Sequence, residues 1–279
     1  MPAESGARRA GRVPTIFAMG GGGFTMEPEN PALDDYVRSL APAREPRICL
    51  LPTAGGDSED QIRRFHTAFD DQLCEPTHIS LFRLGRRPVP LRKTLLEQDI
   101  VYVGGGSMLG LLAVWRALGL DTILRECWEA GVVLAGLSAG AMCWFEWGVS
   151  SSLGAPAPAP GLGLLPGSLS VHADGEPARL PVYREAVADG TIPPGWAADD
   201  GVALLFRDND LEEVVSSRPG RRVLRVESGA ESVLEPRVLA RPDRFGPTPE
   251  IAEFRRVRAL SSTSAGRSGT LRARRPRRR

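Results

Sequence analysis

One pattern recurs along the first 150 residues and constrains the fold more than any other feature of the chain. A short apolar or β-branched run ends in glycine or another small residue, and a helix-like stretch follows. Thr15–Met19 runs into Gly20–Gly23, and Arg47–Leu51 runs into Pro52–Gly56 ahead of a helical stretch near residues 59–70. Thr77–Leu81 reads as another strand. Asp99–Val103 runs into Gly104–Ser107 and then Met108–Leu118. Gly131–Gly136 leads into Ser138, with a helix expected through about Trp147. Strands that are apolar throughout, each followed by a helix, belong in a parallel sheet covered on both faces. The expectation is therefore a three-layer α/β/α fold with a mostly parallel central sheet. Its glycine-rich strand ends line up along the C-terminal edge, where open α/β proteins place their sites.

The rest of the chain divides by composition. Residues 1–12 are small, polar and basic, which predicts disorder. The α/β domain is expected over 13–235. The Pro/Ala/Gly stretch 153–163 reads as a loop beside the site, because it suits neither a helix nor a central strand. Gly201–Phe206, Glu213–Ser216 and Val223–Val226 read as shorter strands added antiparallel at one end. An extension occupies 236–260, with one short helix expected within 246–260. A disordered arginine-rich tail fills 261–279, which holds seven arginines and no acid.

The charge balance, +1 overall, gives nucleic acid no general attraction once that tail is set aside. The four cysteines show no CxxC spacing and sit among apolar residues, which predicts buried free thiols in a reducing compartment. The three histidines, His66, His78 and His172, are too scattered to suggest a metal cluster. The N-terminus lacks the apolar core of a signal peptide, and no run approaches the roughly 18 apolar residues that span a membrane. A cytoplasmic protein with no membrane partner and no specific nucleic-acid partner is expected; monomer and homodimer both stay open.

The chemistry-bearing segment is strand, then Gly136-Leu137-Ser138-Ala139-Gly140, then helix. Glycines two before and two after the serine permit a sharp turn that projects Oγ above the sheet. The amide of Ala139, at the start of the following helix, points toward an oxyanion beside Ser138. The plainer alternative is a tight turn whose serine caps the helix. Gly104–Ser107, following a neighbouring strand, offers bare backbone for a second oxyanion donor, or equally a phosphate cradle or simple crossover turn. Gly20–Gly23 lacks the GxGxxG spacing of a dinucleotide site, and no acid follows the next strand as a ribose partner. A serine hydroxyl needs a base, and His172 is the only histidine after Ser138. His66 and His78 read as packing or surface residues.

Five runs taken together resemble peptidase E, the dipeptidase E-like group of serine peptidases related to cyanophycinase. They are Phe17–Gly22, Leu50–Ala54, Val103–Ser107, Gly136–Ala141, and Leu164–Ser168 followed by His172 and Asp174-Gly175-Glu176. The resemblance spans about residues 14–227, in order. It implies a class I glutamine amidotransferase-like (flavodoxin-like) fold and a hydrolase that needs no metal or cofactor. It implies Ser138 as nucleophile, His172 as base, and oxyanion amides from Ala139 and the Gly104–Gly106 loop around Gly105. Substrates would be short peptides beginning with aspartate, or β-aspartyl polymers. An acidic side chain calls for a cation near the cleft, and Arg179 and Arg184, which closely follow His172, are candidates, with a solvated surface role as the equal alternative.

On that resemblance the triad acid should follow the elbow helix, near Ser150–Ser152, where no acid stands. Glu146 is the only acid between Ala139 and Val171, and on a helix it would lie about 12 Å along the axis from Ser138. Asp174, close to His172 in sequence, is the other candidate, with Glu176 beside it. Without an acid the imidazole loses its orientation, and three readings follow: a serine peptidase working with a weak dyad, a binding protein that has drifted from catalysis, or an amidotransferase-like enzyme. The last fits poorly, because such proteins carry cysteine at the elbow.

Overall fold

The computed structural model describes residues 12–69 and 74–239. Of the disorder expected over 1–12, only Arg12 lies within the described residues, and there its guanidinium pairs with Asp99 at 3.1 Å; the helix within 246–260 and the arginine-rich tail lie outside them. Among the described residues there are fourteen strands: β1 Thr15–Met19, β2 Arg47–Leu51, β3 Glu75–His78, β4 Ile100–Val103, β5 Val133–Leu137, β6 Phe145–Ser150, β7 Ala157–Pro160, β8 Leu165–Ser170, β9 Gly195–Ala198, β10 Val202–Arg207, β11 Asp210–Ser216, β12 Val223–Glu227, β13 Ala230–Leu234 and β14 Arg237–Val238. The helices are α1 Gly23–Met26, α2 Ala32–Ser39, α3 Glu59–Ala68, α4 Leu91–Leu96, α5 Met108–Leu118, α6 Leu120–Glu129, α7 Ala139–Met142 and α8 Arg179–Ala188.

The main sheet has eight strands in the order β14-β11-β10-β1-β5-β4-β2-β3. From β1 through β3 every pairing is parallel, and β10 joins β1 antiparallel. The periodicity of β1 shows why these strands read as continuous apolar runs. Phe17 and Met19 face one layer, with Phe24, Leu33, Val37 and Phe65 from α1–α3. Ile16 and Ala18 face the other, with Leu111 and Trp115 of α5 and Leu124 and Cys127 of α6. A strand buried on both sides has no polar face to alternate with. All four cysteines are free and buried, and burial pushes the Cys49 thiol up to about 12.

β10 and β11 add antiparallel at one end of the main sheet as expected, whereas Val223–Val226 lies in β12 of a second sheet, β13-β12-β9-β8-β6-β7. Phe145, Leu165, Leu169 and Val223 pack into the same core as α5 and α6. On its other face Val149, Ala197 and Leu224 bury Tyr183 and Val187 of α8. The helix expected through Trp147 stops at Met142, and the chain turns directly into β6. The Pro/Ala stretch is partly strand: β7 pairs antiparallel with β6 at the sheet edge, the one place where proline's missing N–H costs little. At the end of the fold, β14 adds to β11, so the main sheet extends past residue 235. None of the described helices is long and apolar enough to cross a membrane.

Candidate active site

β5 delivers Ser138. Its backbone sits at φ 55°, ψ −115°, a strained conformation for a residue with a side chain, between the strand end and the first residue of α7. The flanking glycines are required by close approach. A Cβ on Gly136 would run into the carbonyl of Gly140, and one on Gly140 would stand 2.5 Å from the Val103 carbonyl oxygen. The Ser138 amide donates to Met19 O at 3.0 Å, tying the elbow to β1. Ala139 opens α7, so its N–H has no acceptor within the helix. Gly105, beyond β4, packs so closely on the elbow that a Cβ there would lie 3.4 Å from that of Ser138. Its carbonyl accepts from Gln61 Nε2 at 3.4 Å.

His172 comes from the second sheet. It stands two residues beyond β8, at φ 57°, and its Nε2 lies 2.8 Å from Ser138 Oγ. On the other side of the ring, Nδ1 lies 2.5 Å from Asp200 Oδ1, and both side chains are buried. An ionised carboxylate can only accept, so Nδ1 carries the hydrogen and Nε2 is left to accept from the serine hydroxyl. Ser138, His172 and Asp200 thus form a continuous hydrogen-bonded relay.

The carboxylate beside His172 Nδ1 is that of Asp200, not Glu146 or Asp174. Glu146 is exposed on β6 and accepts the Gly167 amide at 2.9 Å. With α7 ending at Met142, the helix that was to carry Glu146 does not exist. Asp174 accepts the Asp200 amide at 2.8 Å and pairs with Arg221, so it shapes the loop that holds the acid. Glu176 pairs with Arg179. The geometry that selects Asp200 is plain: β8 and β9 are parallel neighbours, with Ser170 opposite Ala197. His172 and Asp200 each stand two residues past the end of their strand, at the same edge. A signal existed in the sequence, since Asp199-Asp200-Gly201 follows the apolar Trp196-Ala197-Ala198 run just as other strand ends meet glycine.

The Gly20–Gly23 loop backs this relay. Gly201 N donates to Gly21 O at 3.1 Å, and His172 N donates to Gly20 O at 3.3 Å. A Cβ on Gly21 would collide with the Asp200 carboxylate and lie 3.0 Å from His172 Nδ1.

Ser138 and His172 open into a cavity of about 600 Å³ that also meets Gly105, Gln61, Arg64 and Arg179. Arg179 is 3% exposed; its guanidinium donates to Glu176 at 2.7 Å and to Ser151 at 3.1 Å. Arg64 binds Asp60 at 2.7 Å on the α3 wall. Arg184, the other candidate for an acidic side chain, instead makes an exposed ion pair with Glu231. Ser150 and Ser152 bond to each other at 2.8 Å, and Ser152 accepts the Leu109 amide at 3.3 Å. His66 and His78 meet one another on the surface, Nε2 to Nδ1 at 3.0 Å. Among the described residues, no three or more His, Cys, Asp or Glu side chains gather as a metal site.

Comparison with known proteins agrees with this architecture. The model of peptidase family S51 matches residues 16–214. The uncharacterized peptidase YgaJ of Bacillus subtilis (strain 168) is 47% identical over 220 residues, 79% of this chain and 95% of the relative. The crystal structure of a peptidase from an acI-B1 Actinobacterium superposes with a TM-score of 0.63 at 20% identity, covering 81% of this chain and 95% of its own. A protein from Listeria monocytogenes EGD-e described as a peptidase E superposes at 0.50 and 17% identity, covering 72% and 96%. By the family match and the Bacillus relative, the chain belongs to peptidase family S51 and is a serine-type peptidase.

Proposed function

We propose that the protein cleaves short peptides through an acyl-enzyme on Ser138, with His172 as general base and acid and Asp200 as the group that orients it. The observation that carries this reading is the relay itself, 2.8 Å then 2.5 Å, at the wall of a cavity large enough for a few residues. Ser138 Oγ attacks the scissile carbonyl while its proton passes to His172 Nε2. The imidazolium is held by the Asp200 carboxylate. The amides of Ala139 and Gly105 receive the negative charge that develops on the carbonyl oxygen. His172 then gives its proton to the leaving amine, and water, activated by the same nitrogen, releases the acyl group.

The acyl side of the substrate is proposed to be acidic, as in Asp-X peptides. Arg179 supports this, being a buried guanidinium in the cavity wall that a substrate carboxylate can share with Glu176.

A fluorophosphonate probe at neutral pH should label wild-type protein at Ser138 and leave Ser138→Ala unlabelled; an unlabelled wild type would remove the nucleophile. For specificity, kcat/KM on an Asp-X dipeptide should exceed that on the matched Asn-X dipeptide, and Arg179→Gln should erase the difference. Equal rates on both peptides with wild-type protein would remove the acidic preference and leave the mechanism standing.

A further inference from the structure

Behind the relay lies a buried charged pair that the mechanism above does not use. Glu27, just after α1, and Arg218, just after β11, form an ion pair of 3.1 Å with side chains only 2% and 6% exposed. Burying two charges this deeply is expensive unless geometry and further hydrogen bonds compensate, so such a pair is poor evidence for stability by itself. Its placement is specific. Ser217 Oγ donates to Glu27 Oε2 at 2.6 Å, and Ser217 N donates to the Gly201 carbonyl at 2.8 Å. Gly201 is the residue after Asp200 and sits at φ 76°. A methyl group on it would stand 2.7 Å from Ser217 Oγ and 3.2 Å from both Arg218 Nε and Glu27 Oε1. On the other side, Glu27 Oε2 would lie 3.2 Å from a methyl on Gly22, within the loop that backs His172 and Asp200. Both backbone segments that fix the acid therefore rest on one pair of opposite charges.

We propose that Glu27, with Arg218 and Ser217, is a positioning unit for Asp200. It clamps the Gly201 turn so that the Asp200 carboxylate faces His172 Nδ1. This rests on the assignment of His172 and Asp200 above.

The unit has an electrostatic signature that a purely structural brace would lack. Glu27→Gln keeps the shape and an oxygen for Ser217, but leaves Arg218 charged beside the relay, since a guanidinium does not give up its proton. A positive charge there disfavours imidazolium, so the His172 midpoint falls, by on the order of half to one pH unit. Glu27→Gln combined with Arg218→Met removes both charges and returns the midpoint. The other charged groups around the ring and its acid stay in place in both variants: Asp174 with Arg221, Asp199 against the Arg222 amide, Glu176 with Arg179, and Asp34 beyond Gly23.

The test is a titration of the three imidazoles by NMR on ¹⁵N-histidine protein, followed at His172 together with the low-field Nδ1 proton shared with Asp200. Glu27→Gln should lower the His172 midpoint and weaken that proton signal, the double variant should restore the midpoint, and His66 and His78 should not move. The fluorophosphonate labelling rate of Glu27→Gln should fall on the order of tenfold to a hundredfold. An unmoved His172 midpoint in Glu27→Gln, a low-field Nδ1 proton as strong as in the wild type, or a double variant whose midpoint shifts as far as the single one, overturns the proposal. Should the double variant not fold, the single-variant midpoint decides alone. Because the titration needs no turnover, its failure is distinct from failure of the nucleophile, which appears as an unlabelled wild type.

Discussion

The Asp200 carboxylate meets His172 Nδ1 at 2.5 Å although 28 residues separate them, because β8 and β9 are parallel neighbours and each residue stands two positions past its strand. This carboxylate thus arrives after the histidine in the chain, and from the second sheet. Asp200→Asn keeps the shape but offers an amide where a carboxylate is needed, so the wrong tautomer of the imidazole is favoured. Turnover of a short peptide or an activated ester should fall about 10⁴-fold, the loss seen when a serine triad's acid is made neutral. The thermal midpoint should shift by only a few degrees. A decrease in kcat of less than tenfold would show that the carboxylate does not orient the base.

Gly21 lets backbone lie flat against the relay. Gly21→Ala places a methyl group against the Asp200 carboxylate and 3.0 Å from His172 Nδ1, so one of the two must move. Displacements near 1 Å cost on the order of 10²-fold in rate. The expected outcome is a loss of that size in kcat, with KM for a short peptide changed much less, because the cavity wall is lined elsewhere. A variant with wild-type kcat would show that the loop yields instead.

Asp34 makes stability depend on pH. It is buried beneath the Gly20–Gly23 loop, and burial pushes its carboxyl up to about 7, partly opposed by the hydrogen bond from Tyr102 and raised further by Asp35. Below the ordinary carboxylate range the group is protonated in both the folded and unfolded chains. As pH rises from about 4 to 7, the unfolded chain releases this proton while the folded chain keeps it, so stability falls across that window and levels off above it. Asp34→Asn cannot ionise and retains an oxygen for the Tyr102 hydroxyl. Urea unfolding at pH 5 and pH 8 should show wild-type stability dropping, with a contribution from this group on the order of a few kcal/mol. The drop should be smaller in Asp34→Asn. An identical drop in both proteins would exclude the carboxyl as its source.

The central strands of the main sheet are legible because burial on both faces leaves a local mark: Ile16–Met19, Ile48–Leu51 and Ile100–Val103 are apolar without alternation, whereas the exposed edge strand β3 spans Glu75–His78 instead of the expected Thr77–Leu81. The elbow was legible for a related reason, since Gly136 and Gly140 are needed at fixed spacing around Ser138 and spacing is visible in a sequence. β6 and β7 were not. Phe145–Ser150 reads on from a helix start, and Ala157–Pro160 has a composition that suits strand only at an edge. Read as helix, that segment places Glu146 on α7, but α7 stops at Met142 and Glu146 lies on β6.

By itself the sequence determined a covered parallel sheet, its glycine-lined edge, the strained serine and the one histidine that could follow it. Those properties are local, written in period, spacing and residue type. Which carboxylate stands behind His172 depended on the pairing of β8 with β9 and on the turn at Asp199–Gly201 that carries the chain from one sheet to the other. Contacts between strands separated by tens of residues leave no spacing of their own in the chain, so only the tertiary structure could choose Asp200 over Glu146 and Asp174.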